Sequence, residues 1–343
     1  VFDAISTGKC DGIFQLESAG MKSFMKELKP RSLEDLIAGI SLYRPGPMDF
    51  IPQYIKGKNN QDSVTYACPQ LEAILKPTYG CIVYQEQVMQ IVRDLAGYSW
   101  GRSDLVRRAM SKKKAYVMEQ ERKNFIYGNP DEGVKGCVNN GIDEKVAGKI
   151  YDDMIDFAKY AFNKSHAACY AVVSFQTAYL KTYYPVEFMA ALMTSVIDNT
   201  SKVAGYIYAC KQMNIGILPP DVNESQMEFT VENGKIRFAM AAIKSLGRPT
   251  IQAILKERGE NGSFISMQDF VTRMSQALNR RAIENFVKAG AFDTFGHTRK
   301  SMMIVSESML DSAIKHNIMT TLTTVLAMLQ MVFSNDMASQ LMS

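Results

Sequence analysis

The stretch AFNKSHAACYAVVSFQTAYLK, Ala161 to Lys181, sets the fold class. Asn163 and Ser165 are both helix-capping residue types, and the next breaker is Pro185. A helix is therefore predicted from about Ser165 to Tyr183. A capped helix start leaves backbone N–H groups facing outward, which favours negative charge there. His166 and Tyr170 stand one turn apart on it, i and i+4. Taken alone, that spacing fits packed core aromatics and a hydrogen-bonded structural histidine at least as well as a binding site.

The same helical period extends outward from this segment. Met21, Phe24, Met25 and Leu28 recur at helical spacing, so helices are predicted from about Ser18 to Ile40 with a break at Pro30. Further helices are predicted over about Tyr84–Leu95, Ser103–Phe125, Asp143–Tyr160 and Val186–Val196. Tyr43-Arg44-Pro45-Gly46-Pro47 must interrupt any helix, because both prolines lack a donor and fix φ. At Ile217 the texture changes. Leu218-Pro219-Pro220-Asp221 reads as a linker, and apolar and polar residues alternate on both sides of Asn233-Gly234, a hairpin signal. Helices resume from about Thr250, with two short helix-turn-helix units between Ile243 and Gly296. The expected architecture is mainly α. It comprises a multi-helix domain over 1–215, a small β-hairpin with tandem helix-hairpin-helix units over 216–300, and a helical tail over 301–343.

Composition narrows the function classes. With 47% hydrophobic and 22% charged residues, the 343-residue chain suits a soluble globular protein of two or three domains. The six cysteines form no C-x-x-C pair, which argues against a zinc site and a disulfide framework and for reduced thiols in the cytoplasm. Three histidines leave little for a His-based metal site. No charged segment and apolar run follow Val1, so no secretory signal is expected; an opening without Met and a Met-Ser end suit a partial reading frame. Asn317 to Asn335 carries no charge, but four threonines and Gln330 make it too polar for a membrane span.

The net charge of +4 is unevenly placed. Arg102, Arg107, Arg108, Lys112, Lys113 and Lys114 face one acid, Asp104, giving this window +5 and leaving about −1 elsewhere. Such a local patch suggests a polyanion partner at one place. A solvated basic helix face is the plainer alternative.

Seven strings occur in order: GIFQLES (Gly12–Ser18), LYRPGPM (Leu42–Met48), PTYGCIVYQEQVMQI (Pro77–Ile91), LVRRAMSKKK (Leu105–Lys114), Ala161–Lys181, ILPPDVN (Ile217–Asn223) and LNRRAIENFVKAGAFD (Leu278–Asp293). Together, over about Ala4 to Met303, the chain resembles the C-family replicative DNA polymerases, the bacterial polymerase III α subunit family. The resemblance implies a fingers domain to about residue 215, with the edge of the palm at its start, then DNA-binding helix-hairpin-helix units.

It also implies roles. Arg107 and Arg108 would contact the triphosphate of an incoming dNTP, as the planar guanidinium fork suits phosphate oxygens. Lys112, Lys113 and Lys114 would bind phosphate more loosely, as DNA contacts. Tyr160 would stack on the nascent base pair, His166 would sit near the sugar, and Lys164 would meet phosphate. Arg44 would present a charge from a rigid turn. Tyr84-Gln85-Glu86-Gln87 would position the fingers, and Glu86 has no second carboxylate at helical spacing to make it a metal ligand. Ala242 to Gly247 resembles a hairpin whose backbone amides hold DNA phosphate, with Ser245 where the family pattern has glycine; Lys244 and Gly247 are the DNA contacts there. Arg280, Arg281 and Gly290 are the DNA contacts expected of the second unit.

The family's catalytic aspartates lie N-terminal to GIFQLES, and Asp3 and Asp11 do not match them. No catalytic or metal-binding residue is therefore expected in this segment. Mg²⁺, primer-template DNA, dNTP, a sliding clamp and other replisome subunits are expected for the full-length enzyme, without a membrane. Two other classes compete: a non-enzymatic helix-hairpin-helix DNA-binding module, and a helical protein–protein scaffold. The first leaves the ordered strings before residue 185 unexplained, and the second leaves the +5 patch unexplained.

Overall fold

The computed structural model describes residues 1–111, 115–158 and 162–341. Among these the chain forms sixteen α-helices and one small sheet, in two compact units, Val1–Tyr183 and Tyr184–Ser343. The fold is mainly α, as the sequence predicts.

The first unit contains α1 (Phe2–Ser6), α2 (Ala19–Leu28), α3 (Leu33–Leu42), α4 (Ile51–Asn59), α5 (Pro69–Leu75), α6 (Gln85–Ala96), α7 (Trp100–Ser111), α8 (Ala115–Tyr127), α9 (Glu144–Ala158) and α10 (Lys164–Tyr183). Local chemistry sets the boundaries. Ser18 Oγ accepts the Met21 amide and Ser32 Oγ accepts the Asp35 amide, so each serine caps a helix start. α2 ends with Lys29 at φ +46, immediately before Pro30. Two cores result. Leu16, Met25, Leu28, Leu36, Tyr54, Val83 and Ala171 are buried in one, and Leu75, Val88, Ile91, Leu95, Met110, Phe125, Tyr151 and Met154 in the other. Within the helix predicted over Ser103–Phe125, the described residues form α7 to Ser111 and α8 from Ala115, and residues 112–114 lie outside the described residues.

The second unit contains α11 (Pro185–Ser195), α12 (Thr200–Gln212), β1 (Ile217–Leu218), β2 (Thr230–Glu232), β3 (Lys235–Arg237), α13 (Arg248–Asn261), α14 (Met267–Met274), α15 (Arg280–Ala289) and α16 (Arg299–Leu341). The predicted hairpin is β2–β3, antiparallel, with Val231 opposite Ile236. Asn233 and Gly234 both take positive φ, 51° and 74°, the conformation of a type I′ turn. The predicted linker also supplies β1, which pairs parallel to β3 and gives the order β1-β3-β2.

Met189 and Met193 of α11 and Tyr206 and Cys210 of α12 share one core with Ile215, Phe229 and Ile236, so these helices pack on the sheet's side of the chain. Met302, Leu310 and Ala313 of α16 are buried with Ile251, Phe270, Phe286 and Phe292, whose rings meet at centroid distances of 5.1–5.8 Å. Five cysteines are buried and Cys169 is exposed, all as free thiols.

Candidate functional site

The site in the first unit is built around a single bridge. Tyr84 pairs with Phe162 in parallel: the Phe162 amide donates to Val83 O at 3.4 Å and the Gln85 amide donates to Phe162 O at 3.0 Å. This brings the YQEQ and FNKSH strings together. The three residues after Tyr84 then reach in three directions. Gln85 Oε1 accepts from Arg107 Nη1 at 2.9 Å. Both carboxylate oxygens of Glu86 accept the Lys164 amide at 3.1 Å. Gln87 Oε1 accepts the amides of Val83 and Tyr84, at 2.8 and 3.0 Å, while its Nε2 donates to Thr78 Oγ1 and Ile74 O. The last set completes half a capping box for α6 and ties it to the end of α5.

Arg107 and Arg108 share one carboxylate. Asp104 Oδ1 accepts from Arg107 Nε and Nη2 at 2.9 and 2.6 Å, and its Oδ2 lies 2.7 Å from Arg108 Nη2. The hydrogen bonds from Arg107, with its charge and those of Arg108, hold the Asp104 carboxyl below its ordinary value. The two arginines differ in exposure: Arg107 is 22% exposed and fixed on two sides, and Arg108 is 61% exposed. Arg102, in the same basic window, is scaffold. It pairs with Glu121 and Glu132 and lies over the Tyr98 ring, and its Nε is buried without a partner among the described residues.

Across the bridge, Phe162 is the hub. The Arg44 guanidinium stands 4.9 Å from its ring centroid, and the His166 ring lies 5.5 Å away, with Tyr170 4.4 Å further along. Arg44 is aimed by its turn. The preceding Tyr43 stacks on Phe24, and its hydroxyl lies over Gly20, where a Cβ would stand 1.7 Å from that oxygen. Lys164 Nζ pairs with Glu34 at 3.1 Å and lies 5.3 Å from the Tyr84 ring. Arg107, Arg44, Lys164 and His166 are thus linked through Gln85, Tyr84 and Phe162. Tyr160, Lys112, Lys113 and Lys114 lie outside the described residues.

One expectation is corrected. The start of α10 is not left open for an anion. Asn163 Oδ1 caps the His166 amide at 2.8 Å, and Glu86 brings its own negative charge to the Lys164 amide. The helix dipole is already complemented from within the protein.

The back of α10 carries residues that the sequence reading did not single out. Ser174 Oγ donates to Phe14 O, Thr177 Oγ1 accepts the Phe14 amide, and Lys181 Nζ donates to both Lys9 O and Asp11 O at 2.8 Å. Lys181 is 9% exposed, and burial lowers its pKa. The spacing i, i+3, i+7 of polar residues on one helix face was the available signal. Its partner, the GIFQLES string, lies about 160 residues away in sequence.

In the second unit, Ser245 takes φ +61°, the left-handed conformation that the family's glycine would adopt without strain. The amides of Ser245 and Gly247 make no hydrogen bond among the described residues. Lys244 and Gly247 are exposed, and Asn285 Nδ2 anchors the Lys244 carbonyl at 2.7 Å. Arg281 is exposed and makes no ion pair among the described residues, whereas Arg280 pairs with Glu307 and Glu284. Gly290 corrects its assignment as a backbone contact to DNA. It is buried at φ +87° as the C-cap of α15, its amide is taken by Val287 O, and the Arg299–Asp293 pair occupies the space a side chain would need.

Among the described residues no group of three His, Cys, Asp or Glu side chains is arranged to hold a metal ion, and no helix is long and apolar enough to cross a membrane.

Comparison with known proteins places these features. A model of the bacterial DNA polymerase III alpha subunit finger domain matches residues 1–133, and a helix-hairpin-helix motif model matches residues 214–302. The chain is 48% identical to the DNA polymerase III subunit alpha of Thermus aquaticus over 86% of its length and 24% of the relative's. It is 44% identical to those of Bacillus subtilis and Campylobacter jejuni, over 92% of this chain and 27% and 26% of the relatives. It spans about a quarter of the length of these relatives. The chain therefore belongs to the bacterial DNA polymerase III alpha subunit family, as a segment carrying the finger domain and a helix-hairpin-helix motif.

Proposed function

We propose that this segment grips the incoming dNTP and the primer-template duplex within a DNA-directed DNA polymerase of the cytoplasm. The observation that carries this is the linkage of Arg107 to Arg44, Lys164 and His166 through the Gln85–Phe162 bridge. Arg107 and Arg108 receive the triphosphate, since a guanidinium keeps its charge and donates in a plane that fits phosphate oxygens. Lys164 exchanges its solvent-exposed partner Glu34 for phosphate. His166, exposed beside Phe162 and Tyr170, receives the sugar, and Tyr160, six residues earlier in sequence, the base. The amides of Ser245 and Gly247, with Lys244 and Arg281, hold the duplex backbone without reading sequence.

Mg²⁺ would align the attack of the primer hydroxyl on the α-phosphate. The described residues offer no ligand set for it, so no step through the ion is assigned to this chain. A sliding clamp and other replisome subunits are the partners proposed for a full-length subunit carrying this sequence.

Charge reversal of Arg107 and Arg108 to Glu in such a full-length subunit tests the reading. Nucleotide KM should rise by more than about tenfold, since each lost charged hydrogen bond is worth about 1.5–3 kcal/mol. An unchanged KM would remove their assigned role.

A further inference from the structure

We propose that Gln85 is a positioning residue for Arg107, fixing the guanidinium for the substrate triphosphate relative to the bridge that carries Phe162 and His166. The inference rests on the polymerase reading above and adds a residue to it.

Among the described residues the Arg107 guanidinium hydrogen-bonds to two side chains, Asp104 and Gln85. Asp104 sits three residues earlier on the same helix. It can hold the guanidinium against α7, but it cannot set its place relative to anything beyond that helix. It also divides its oxygens between Arg107 and Arg108. Gln85 is different. It is the first residue of α6, its backbone amide is bonded to Phe162 O, and its side-chain oxygen receives Arg107 Nη1. One residue thus links the phosphate-binding arginine to the strand pairing beside His166. Gln85 is also neutral. It accepts from the guanidinium without placing a second negative charge where the triphosphate must come. Three of the five guanidinium N–H groups are used in these contacts, which leaves two for phosphate.

Gln85 is half-buried and its bond to Phe162 is made by backbone, so truncation removes the side-chain contact and keeps the bridge. In a full-length subunit carrying this sequence, Gln85→Ala should raise the KM for dNTP about fivefold, less than the full worth of a hydrogen bond to a charged group because Asp104 still holds the guanidinium, with kcat within about twofold of the unsubstituted enzyme. In an Arg107→Ala background the same change should have no further effect, because its target is gone. A KM that does not move, or a KM effect that persists undiminished in the Arg107→Ala background, would overturn the proposal. A subunit that incorporates no nucleotide even without substitutions would instead overturn the polymerase reading. A second measurement on this chain is independent of activity: Gln85→Ala should increase the mobility of the Arg107 Nη1 group seen by NMR in the absence of ligand, and an unchanged order there would also overturn the assignment.

Discussion

Glu86 accepts the backbone amide of Lys164 with both carboxylate oxygens, at 3.1 Å each, across 78 residues of sequence. The glutamate therefore serves as a cap supplied from another helix, at the start of α10. Replacing it with Ala should cost about 1–2 kcal/mol, as for loss of a strong N-cap. Urea unfolding measures that loss. Hydrogen exchange at the Lys164 amide should also accelerate, and unaltered exchange would show that the cap contributes nothing.

Asp104 should titrate below its ordinary 3.8, because the hydrogen bonds from Arg107 favour its ionised form. A carboxyl with a lowered folded value stabilises the fold at pH above the unfolded value. That contribution disappears as the pH falls through the lowered value. Carbon-detected NMR titration of the carboxyl would give the midpoint. Arg107→Ala should move it back up toward 3.8, and a midpoint that stays put would mean that Arg107 is not the cause.

Ser245 holds a left-handed backbone at φ +61° that costs a residue with a Cβ about 1–2 kcal/mol. Ser245→Gly should relieve this, less the extra chain entropy of glycine, for a net gain of about 0.5–1 kcal/mol. Thermal unfolding is the direct check. Affinity for duplex DNA should hold or rise, because removal of the side chain lets phosphate approach the Ser245 and Gly247 amides more closely. Weaker DNA binding by the glycine variant would count against this hairpin as a phosphate contact.

Arg280 and Arg281 are neighbours in sequence with different surroundings. Arg280 is paired to Glu307 and Glu284, and Arg281 is exposed without such a partner among the described residues. Arg281→Ala should therefore lower the slope of log K against log salt for duplex binding by about 0.9, the value for one phosphate contact. Arg280→Ala should change it less. Fluorescence anisotropy across a salt series distinguishes them, and equal slopes for both variants would refute the distinction.

What the sequence displays and what it hides follow from the range of the interactions. Asn233-Gly234 is legible because a type I′ turn is set by two adjacent residues. The caps at Ser18 and Ser32 are nearly as local, each serine accepting an amide three residues on. β1 is not, since two residues next to a proline pair carry no alternation of their own. Nor is the placement of α11 and α12, which depends on the apolar face of a sheet that follows them. At the candidate site the residue types were visible as strings. The division of labour within Gln85-Glu86-Gln87 was not, because each partner lies on a different part of the chain and helical spacing from Glu86 offers no hint of the Lys164 amide.

The joint between Tyr84 and Phe162 also constrains how the chain can change length. Consecutive helical residues point about 100° apart, so one residue inserted between Gln85 and Gln87 would turn at least one of the two away from its partner. A deletion between Phe162 and Lys164 would pull the capped amide off Glu86. Insertions should therefore be poorly tolerated within these few positions and well tolerated in the exposed stretch at residues 296–297, where no such coincidence of directions must be kept.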